Sequence, residues 1–211
     1  MEQNNKNPIG TRRSLQREET RAIILESART LFDESGFDKT TIRAVANRAG
    51  VGTGTIFNYF PDKPSLLIAA LLDDLEKIEK SAFKTLPEKA SIIEKCLHIT
   101  RVYYSYYARR PSLSRTLLRE SNFIPGEFGK LLKTRTNRFI KMIEEMMVEA
   151  QKRGEIRMDA DCGLAALTFF SLFLWILFSG LGEPEFKKDE LLFLLEKLLN
   201  QQIKGLGREK A

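Results

Sequence analysis

The stretch AGVGTGTIFNYF, residues 49–60, decides how the first part of the chain is interpreted. Three glycines lie in its first six positions and three aromatic residues in its last six. A dinucleotide-binding loop needs G-x-G-x-x-G after a strand, and a P-loop needs a lysine directly after its last glycine. Here a helical pattern, IRAVANRA, precedes the glycines, and no lysine follows at the required place. Both kinds of phosphate loop are therefore rejected.

The surrounding residues predict a helix-turn-helix. Apolar residues recur at positions 42, 45, 46 and 49, which is the spacing of one helix face. Gly50 permits a tight turn because it has no Cβ. In a second short helix, Val51 and Ile56 are expected to pack inward. The outward-facing side chains are then Thr53, Thr55, Asn58 and Tyr59.

These outward side chains suit contact with DNA. In the major groove, asparagine can pair with adenine, threonine can contact thymine, and arginine can bind guanine. Arg43 on the preceding helix is placed for guanine or phosphate, and Lys63 for a phosphate. The arginines at 12, 13, 17 and 21 form either a phosphate-facing cluster or a solvated helix face. Ordinary helix packing and protein interaction remain alternatives, since any small helical unit needs a similar apolar core.

Helical periodicity continues to the end of the chain and predicts an all-α fold. A first helix is expected at 17–34. After the fourth helix, the expected helices cover 89–109, 112–121, 126–152, 160–181 and 187–204. The predicted organisation is a flexible arm (1–16), a three-helix helix-turn-helix domain (17–63) and a helical effector-binding and dimerisation domain (64–211).

Composition excludes several classes of protein. The net charge of +6 and the pI of about 9.3 suit an anionic partner. Cys96 and Cys162 lack metal-ligand spacing, so we expect free thiols, no metal and a cytoplasmic location. His98 has no nucleophile or ligand set around it, so we expect neither catalysis nor a cofactor. The polar N-terminal stretch predicts no secretory signal.

One segment allows a membrane interpretation. Residues 163–182, GLAALTFFSLFLWILFSGLG, contain no charge over twenty positions, which is enough to cross a bilayer as a helix. Membrane spans usually have Lys or Arg close by, whereas aspartates precede this segment and glutamates follow it. A buried helix at a dimer interface fits these flanks better. A single-span membrane-associated protein with a DNA-binding head is the alternative.

The stretch RAIILESARTLFDESGFDKTTIRAVANRAGVGTGTIFNYFPDKPSLL, residues 21–67, resembles the N-terminal domain of the TetR family of bacterial transcriptional repressors. The matching pattern includes ARTLFDESGFDKTTI, AVANRAGV, GTIFNYF and the lysine before PSLL. The resemblance implies a homodimer that binds a palindromic double-stranded DNA operator. It also implies release by a small effector, which binds inside each bundle and moves the fourth helix, and a dimer interface built from the last two long helices.

The same resemblance implies which residues contact DNA. The implied contacts are Thr40, Arg43, Thr53, Thr55, Phe57, Asn58, Tyr59 and Lys63. Thr41 is added because either it or Thr40 can cap the second helix. Two positions depart from the family pattern. Phe57 stands where tyrosine is common and lacks a hydroxyl for a phosphate, and Gly52 stands where a capping serine is common.

A ligand pocket is predicted from the stretch RVYYSYYARRPSLSRTLLRES, residues 101–121, which combines four tyrosines with five arginines. The predicted lining is Tyr103, Tyr107, Phe123, Phe169, Phe173 and Trp175. An amphipathic or anionic effector with a hydrophobic body, such as an acyl thioester or an aromatic acid, would fit this lining. The alternative is that the aromatic residues are core packing and the arginines form a solvated face.

Overall fold

The computed structural model describes residues 8–205, with side chains from residue 12 onward. These residues form nine helices and no strand, which confirms the predicted all-α class. The helices are α1 (Pro8–Ser35), α2 (Ile42–Ala49), α3 (Thr53–Phe57), α4 (Lys63–Lys84), α5 (Ile92–Arg109), α6 (Pro111–Ser121), α7 (Gly126–Lys152), α8 (Cys162–Gly182) and α9 (Lys188–Lys204). The chain divides into two compact units, Met1–Asp73 and Asp74–Ala211. The boundary falls inside α4, the helix along which the two parts were expected to divide, and later in the chain than the predicted limit between residues 63 and 64.

Helix α1 is longer than predicted. It begins at Pro8, so residues 8–16 of the expected flexible arm are helical, and residues 1–7 lie outside the described residues. Proline is favourable in the first turn of a helix, and no glycine or proline interrupts residues 11–35. The prediction of a loose arm was wrong there because charged and polar residues are also good formers of an exposed helix.

The turn between α2 and α3 follows from its own residues. Thr41 caps α2, with its hydroxyl oxygen accepting a bond from the Ala44 backbone N–H at 3.1 Å. Gly50 ends the helix with φ of 68°, the left-handed conformation that favours glycine. The Val51 N–H then donates to the Ala46 carbonyl at 3.0 Å. The same carbonyl also accepts from the Gly50 N–H, so the turn closes on the last part of the helix through two adjacent donors.

A buried core holds the short helices of the first unit. Its most deeply buried apolar side chains are Ile24, Ala28, Phe32, Val45, Ala46, Ile56, Phe60, Leu66 and Leu67. Where α1 meets α4, the Arg29 guanidinium donates to the Ala70 carbonyl oxygen from Nε at 3.1 Å and from Nη2 at 2.7 Å. Helices as short as α2 and α3 are not stable alone. Their orientation therefore depends on this core.

The second unit is a helical bundle with an aromatic centre. Helix α5 begins with a capping box between Ser91 and Glu94, and the hydrogen bonds to Ser91 lower the pKa of the Glu94 carboxyl. The rings of Tyr103, Phe139 and Phe173 lie with their centroids 5.6 to 6.1 Å apart, in edge-to-face or tilted contact. These contacts join α5, α7 and α8.

Helix α8 is apolar all round and is, by length and composition, able to cross a membrane. In the structure, 39% of its most apolar window is buried within the chain, where α8 packs against α7 and α9. A Cβ on Gly180 would lie 2.3 Å from Leu191 Cδ1, so the missing side chain lets α8 and α9 approach closely. The part of α8 that this chain leaves uncovered requires another surface to bury it.

Gly50→Ala tests the turn between α2 and α3. No atom lies within 4 Å of a Cβ at this position, so the substitution creates backbone strain without a clash. We expect the free energy of unfolding, measured by urea denaturation, to fall by about 1–2 kcal/mol. Gly54→Ala is the matched control, because its Cβ is equally free but its φ is not positive. That variant should gain up to about 1 kcal/mol, and equal losses in both variants would contradict the analysis.

Candidate DNA-binding surface and ligand cavity

Helix α3 presents a polar face to solvent. Ile56 is fully buried, whereas Thr53 and Asn58 are exposed and Thr55 is half-buried. Phe57 is 53% exposed, so its ring is also accessible from outside. This orientation leaves the threonine and asparagine side chains free to reach base edges. Their contact with DNA stays a prediction.

A groove between α1 and α3 adjoins this polar face. It is lined by Arg13, Ser14, Gln16, Arg17, Thr20, Thr55, Asn58 and Tyr59. The Tyr59 hydroxyl donates to the Arg17 carbonyl oxygen at 3.1 Å, and the Arg17 guanidinium lies 5.7 Å from the Tyr59 ring centroid. Part of the arginine cluster therefore lies beside the expected reading face. The phosphate-facing role of this cluster, one of the two alternatives left open by the sequence, stays a prediction.

Thr40 and Thr41 have different environments. Thr40 is 2% exposed, and its hydroxyl oxygen lies 2.8 Å from the Gly36 carbonyl oxygen and 3.1 Å from that of Leu31. The expected DNA contact of Thr40 stays a prediction, and in the structure its hydroxyl closes the turn from α1 to α2. Thr41 is exposed at the start of α2, and Arg43 in the first turn of that helix is exposed as well. These two remain available to a phosphate.

The expected phosphate contact of Lys63 also stays a prediction, and the structure gives its ammonium group partners within the protein. Its Nζ donates to the Phe37 carbonyl at 2.9 Å and to the Thr40 carbonyl at 3.0 Å. The same ammonium group lies 4.2 Å from the Phe37 ring centroid. Lys63 therefore joins the start of α4 to the turn between α1 and α2. The acceptors lie 26 and 23 residues away in sequence, so no local pattern could have shown them.

A cavity of about 490 Å³ lies in the second unit, lined by residues of α4 to α8 and of the connection between α6 and α7. Its apolar walls include Leu117, Leu118, Leu132, Phe139, Phe170 and Phe173. Three of the six predicted pocket residues line it, namely Tyr103, Tyr107 and Phe173. Burial raises the pKa of both tyrosine hydroxyls. They therefore stay protonated at neutral pH and can donate a hydrogen bond to a ligand.

The other three predicted pocket residues are not part of this lining. Trp175 is 71% exposed, because it follows Phe173 by two residues, a rotation of about 200° around the helix. Phe123 is 90% exposed in the connection after α6. Phe169 is fully buried, but its ring packs against that of Phe173 at 6.2 Å between centroids. Aromatic composition indicated the region of the cavity, and helix rotation decides which rings reach it.

In the stretch 101–121, the tyrosines and the arginines differ in burial. Three of the four tyrosines are buried, whereas all five arginines are exposed. None of these arginines is among the residues that line the cavity. Positive charge at the cavity comes from α7, through the exposed Lys133 and the half-buried Arg135. The alternative of a solvated arginine face is therefore the correct description of this stretch.

One acidic side chain, that of Glu79 on α4, lies in the wall of the cavity. It is 6% exposed, and its carboxylate forms ion pairs with two arginines of α7, Arg135 at 3.7 Å and Arg138. A buried carboxylate needs such partners, because leaving it unpaired in an apolar environment is costly. The cavity thus combines apolar walls with a charged contact between α4 and α7. Sequence analysis missed this contact.

The remaining reactive side chains have structural environments. His98 Nε2 lies 2.8 Å from Thr85 Oγ1. Cys96 and Cys162 are buried free thiols, and burial raises the pKa of Cys96 to about 12. In the part of the chain that the structure describes, no group of three or more His, Cys, Asp or Glu could hold a metal ion.

Comparison with known proteins shows what the chain is similar to. The profile described as "Bacterial regulatory proteins, tetR family" matches residues 24–70. The HTH-type transcriptional regulator HbdR of Aromatoleum sp. (strain CIB) is 27% identical over 195 residues, which cover 89% of this chain and 84% of HbdR.

Two solved structures share the fold. FadR from Thermus thermophilus, in complex with lauroyl-CoA, has a TM-score of 0.72 at 23% identity and covers 90% of this chain and 97% of its own. FadR from Bacillus subtilis, in complex with stearoyl-CoA, has a TM-score of 0.67 at 21% identity and covers 88% of this chain and 99% of its own. Both matches extend over the two units of this chain.

Residues 24–70 therefore form a DNA-binding domain of the TetR type, and the chain is a helix-turn-helix transcriptional regulator. The membrane-associated alternative is not supported, since α8 lies within a fold shared with DNA-binding regulators. The relatives regulate transcription and are not enzymes, which agrees at that level with the expectation of no catalysis.

Lys63→Met distinguishes a structural lysine from a DNA contact. Methionine keeps a flexible apolar side chain but loses both bonds to carbonyls, so the free energy of unfolding should fall by about 1–3 kcal/mol. Where the variant is folded, the salt dependence of operator binding should keep its slope. Asn58→Ala should affect DNA binding and not stability. Its free energy of unfolding should stay within about 0.5 kcal/mol of the native value, and operator binding should weaken by about 1–3 kcal/mol. A Lys63 variant of normal stability with a salt slope shallower by about 1 would support the phosphate contact.

Proposed function

We propose that the protein represses transcription in the cytoplasm and leaves a two-fold operator when a fatty-acyl thioester binds its second unit. The observation that supports this most is the cavity of about 490 Å³ with apolar walls and a few polar groups. Ligand pockets have this composition and volumes of about 300–1,000 Å³. The two FadR structures, which share the fold, hold lauroyl-CoA and stearoyl-CoA.

The lining suits an acyl chain with a polar end. Phe139, Phe170 and Phe173 offer apolar surface that can bury a hydrocarbon chain. Arg135 and the protonated hydroxyl of Tyr103 offer donors to an oxygen at the polar end of that chain. The exposed Lys133 at the rim favours an anionic group outside the cavity. An acyl thioester of coenzyme A combines these three properties.

Helix α4 supplies a physical route from ligand to DNA. Leu75 and Glu79 line the cavity, and the same helix begins at Lys63, in the unit that carries α3. A ligand that binds one arrangement of α4 better than another shifts the population between the two. In a dimer, a small change in the positions of the two reading helices breaks their register with successive major grooves. Ligand binding then lowers operator affinity.

The uncovered face of α8 and α9 supports their role in the dimer interface. Its large apolar side chains are Leu164, Leu167, Trp175, Phe193 and Leu194, which are 48 to 71% exposed. On α8 these residues follow helical spacing and form one stripe. A continuous apolar patch of this kind on a water-soluble regulator marks a protein contact. A second copy of the chain, meeting the same stripe, is the partner that the resemblance to the TetR family implies.

Trp175→Glu tests this interface. A charge at the centre of the stripe should raise the dimer dissociation constant at least about 30-fold, the effect of losing a 2 kcal/mol contact. Sedimentation velocity measures the shift toward monomer, and operator affinity should fall with it. Phe123→Glu is the matched control, since Phe123 is 90% exposed but lies outside α8 and α9. Dimers of native strength in the Trp175 variant would exclude this face as the interface.

The effector proposal is tested by operator release. Selection from random duplexes first provides the operator, and the absence of an enriched two-fold motif would contradict the DNA-binding part. Lauroyl-CoA should then weaken operator binding by about 5- to 150-fold, the usual range of allosteric coupling. Free coenzyme A should have little effect. Release by benzoate without release by lauroyl-CoA would transfer the proposal to aromatic acids, and no response to any of these compounds would contradict it.

A further inference from the structure

The ion pairs of Glu79 connect the ligand cavity to α4. Glu79 lies in the C-terminal half of that helix, and both of its partners, Arg135 and Arg138, belong to α7. Its carboxylate is almost completely buried, at 6% exposure, and the Arg135 side chain is 15% exposed. Both Glu79 and Arg135 line the cavity, whereas Arg138 does not. A ligand in the cavity therefore meets one member of the cluster on each helix.

Competition for Arg135 follows from this geometry. A guanidinium in a largely dehydrated site binds strongly to an oxygen acceptor, because little water is available to replace that contact. The polar end of an acyl thioester carries such an oxygen. At 3.7 Å, the contact between Arg135 and Glu79 is longer than an ideal charged hydrogen bond of about 2.7–2.9 Å. An incoming acceptor can thus take over the donor of Arg135 at the expense of Glu79.

We propose that Glu79 is the sensor of the effector: an acceptor oxygen of the bound ligand takes Arg135 from Glu79 and thereby loosens α4 from α7. This inference rests on the proposed effector-responsive function and adds the contact through which the ligand acts. In the ligand-free protein, the ion pairs hold α4 in its operator-binding arrangement. The apolar walls provide affinity, and the exchange of partners at Arg135 provides the response.

Removing the charge of Glu79 should change ligand affinity and operator affinity in opposite directions, which distinguishes a sensor from a residue with a structural role. Without its charge, residue 79 no longer competes with the ligand, so the ligand should bind more tightly. The ligand-free protein loses the contact that favours the operator-binding arrangement, so operator binding should weaken. Replacing a residue that only stabilises the bundle would weaken both ligand binding and operator binding, because both depend on the folded protein.

The experiment uses the full-length Glu79→Gln variant, which keeps the size of the side chain and removes its charge. Calorimetry measures the affinity for lauroyl-CoA, and fluorescence anisotropy measures operator affinity with and without that ligand. We expect ligand affinity to rise about 5-fold or more and ligand-free operator affinity to fall by a similar factor, so that release by ligand is reduced. Glu149→Gln is the matched control, since Glu149 lies on α7 but pairs with Lys152 at the surface, 2.7 Å apart. It should behave as the native protein does.

A second variant covers the case in which Glu79→Gln does not fold because Arg135 is left unpaired. Glu79→Gln with Arg135→Gln removes both charges and with them the exchange of partners, so its operator affinity should no longer change when lauroyl-CoA saturates the cavity. Thermal unfolding confirms that each variant is folded before binding is measured. Native values for operator binding and release in a folded Glu79 variant, or losses of both affinities in the single variant, would overturn the inference.

Failure of the proposed function has a different signature. If native protein does not leave the operator in lauroyl-CoA, the effector proposal itself is contradicted, whatever the variants do. If native protein is released and the Glu79 variants are released equally, the effector proposal stands and the sensor is elsewhere.

Discussion

The orientation of α3 depends on the burial of one side chain. A helix of five residues has no stability of its own, so Ile56 and the turn at Gly50 determine which way it faces. Successive residues are separated by about 100° around a helix axis. With Ile56 directed into the core, Asn58 lies about 200° away and points outward, whereas Thr53 is exposed as the first residue of the helix. The reading face is therefore a consequence of core packing, and DNA recognition by this unit requires an intact core before any base is contacted.

Local signals predicted the first unit well, and distant partners explain where they failed. The threonine cap, the left-handed glycine and the apolar spacing of α2 all act within a few residues, so the sequence displays them directly. Thr40 and Lys63 were expected at the DNA because of the resemblance to the TetR family. Both instead donate to carbonyls of the turn between α1 and α2, which only the folded chain brings together. Polarity alone does not distinguish a surface contact from a satisfied buried bond.

The second unit shows the same limit for a cavity. Tyrosines and phenylalanines of the predicted region do form its wall, but the rotation of α8 excluded Trp175, and Phe123 lies in the connection after α6. The sequence contains one signal for the cavity that the sequence analysis did not use. Glu79 lies four residues after Leu75 and three before Ala82, on the inward side of α4, where a charged residue is unusual. Such a residue requires a buried partner of opposite charge, and this expectation would have pointed to the arginines of α7.

Affinity and response have different physical origins in such a cavity. Apolar walls contributed by several helices bury an acyl chain in whichever arrangement α4 adopts, so their contribution is shared by both states. A ligand with equal affinity for two states shifts nothing, however tightly it binds. Only a contact that differs between the states can convert binding into release. An ion pair between the moving helix and the cavity wall is such a contact, because the ligand can replace it in one state and not in the other. In the proposed mechanism, the length of the acyl chain sets how tightly an effector binds. The polar end of the effector determines whether its binding lowers the affinity for the operator.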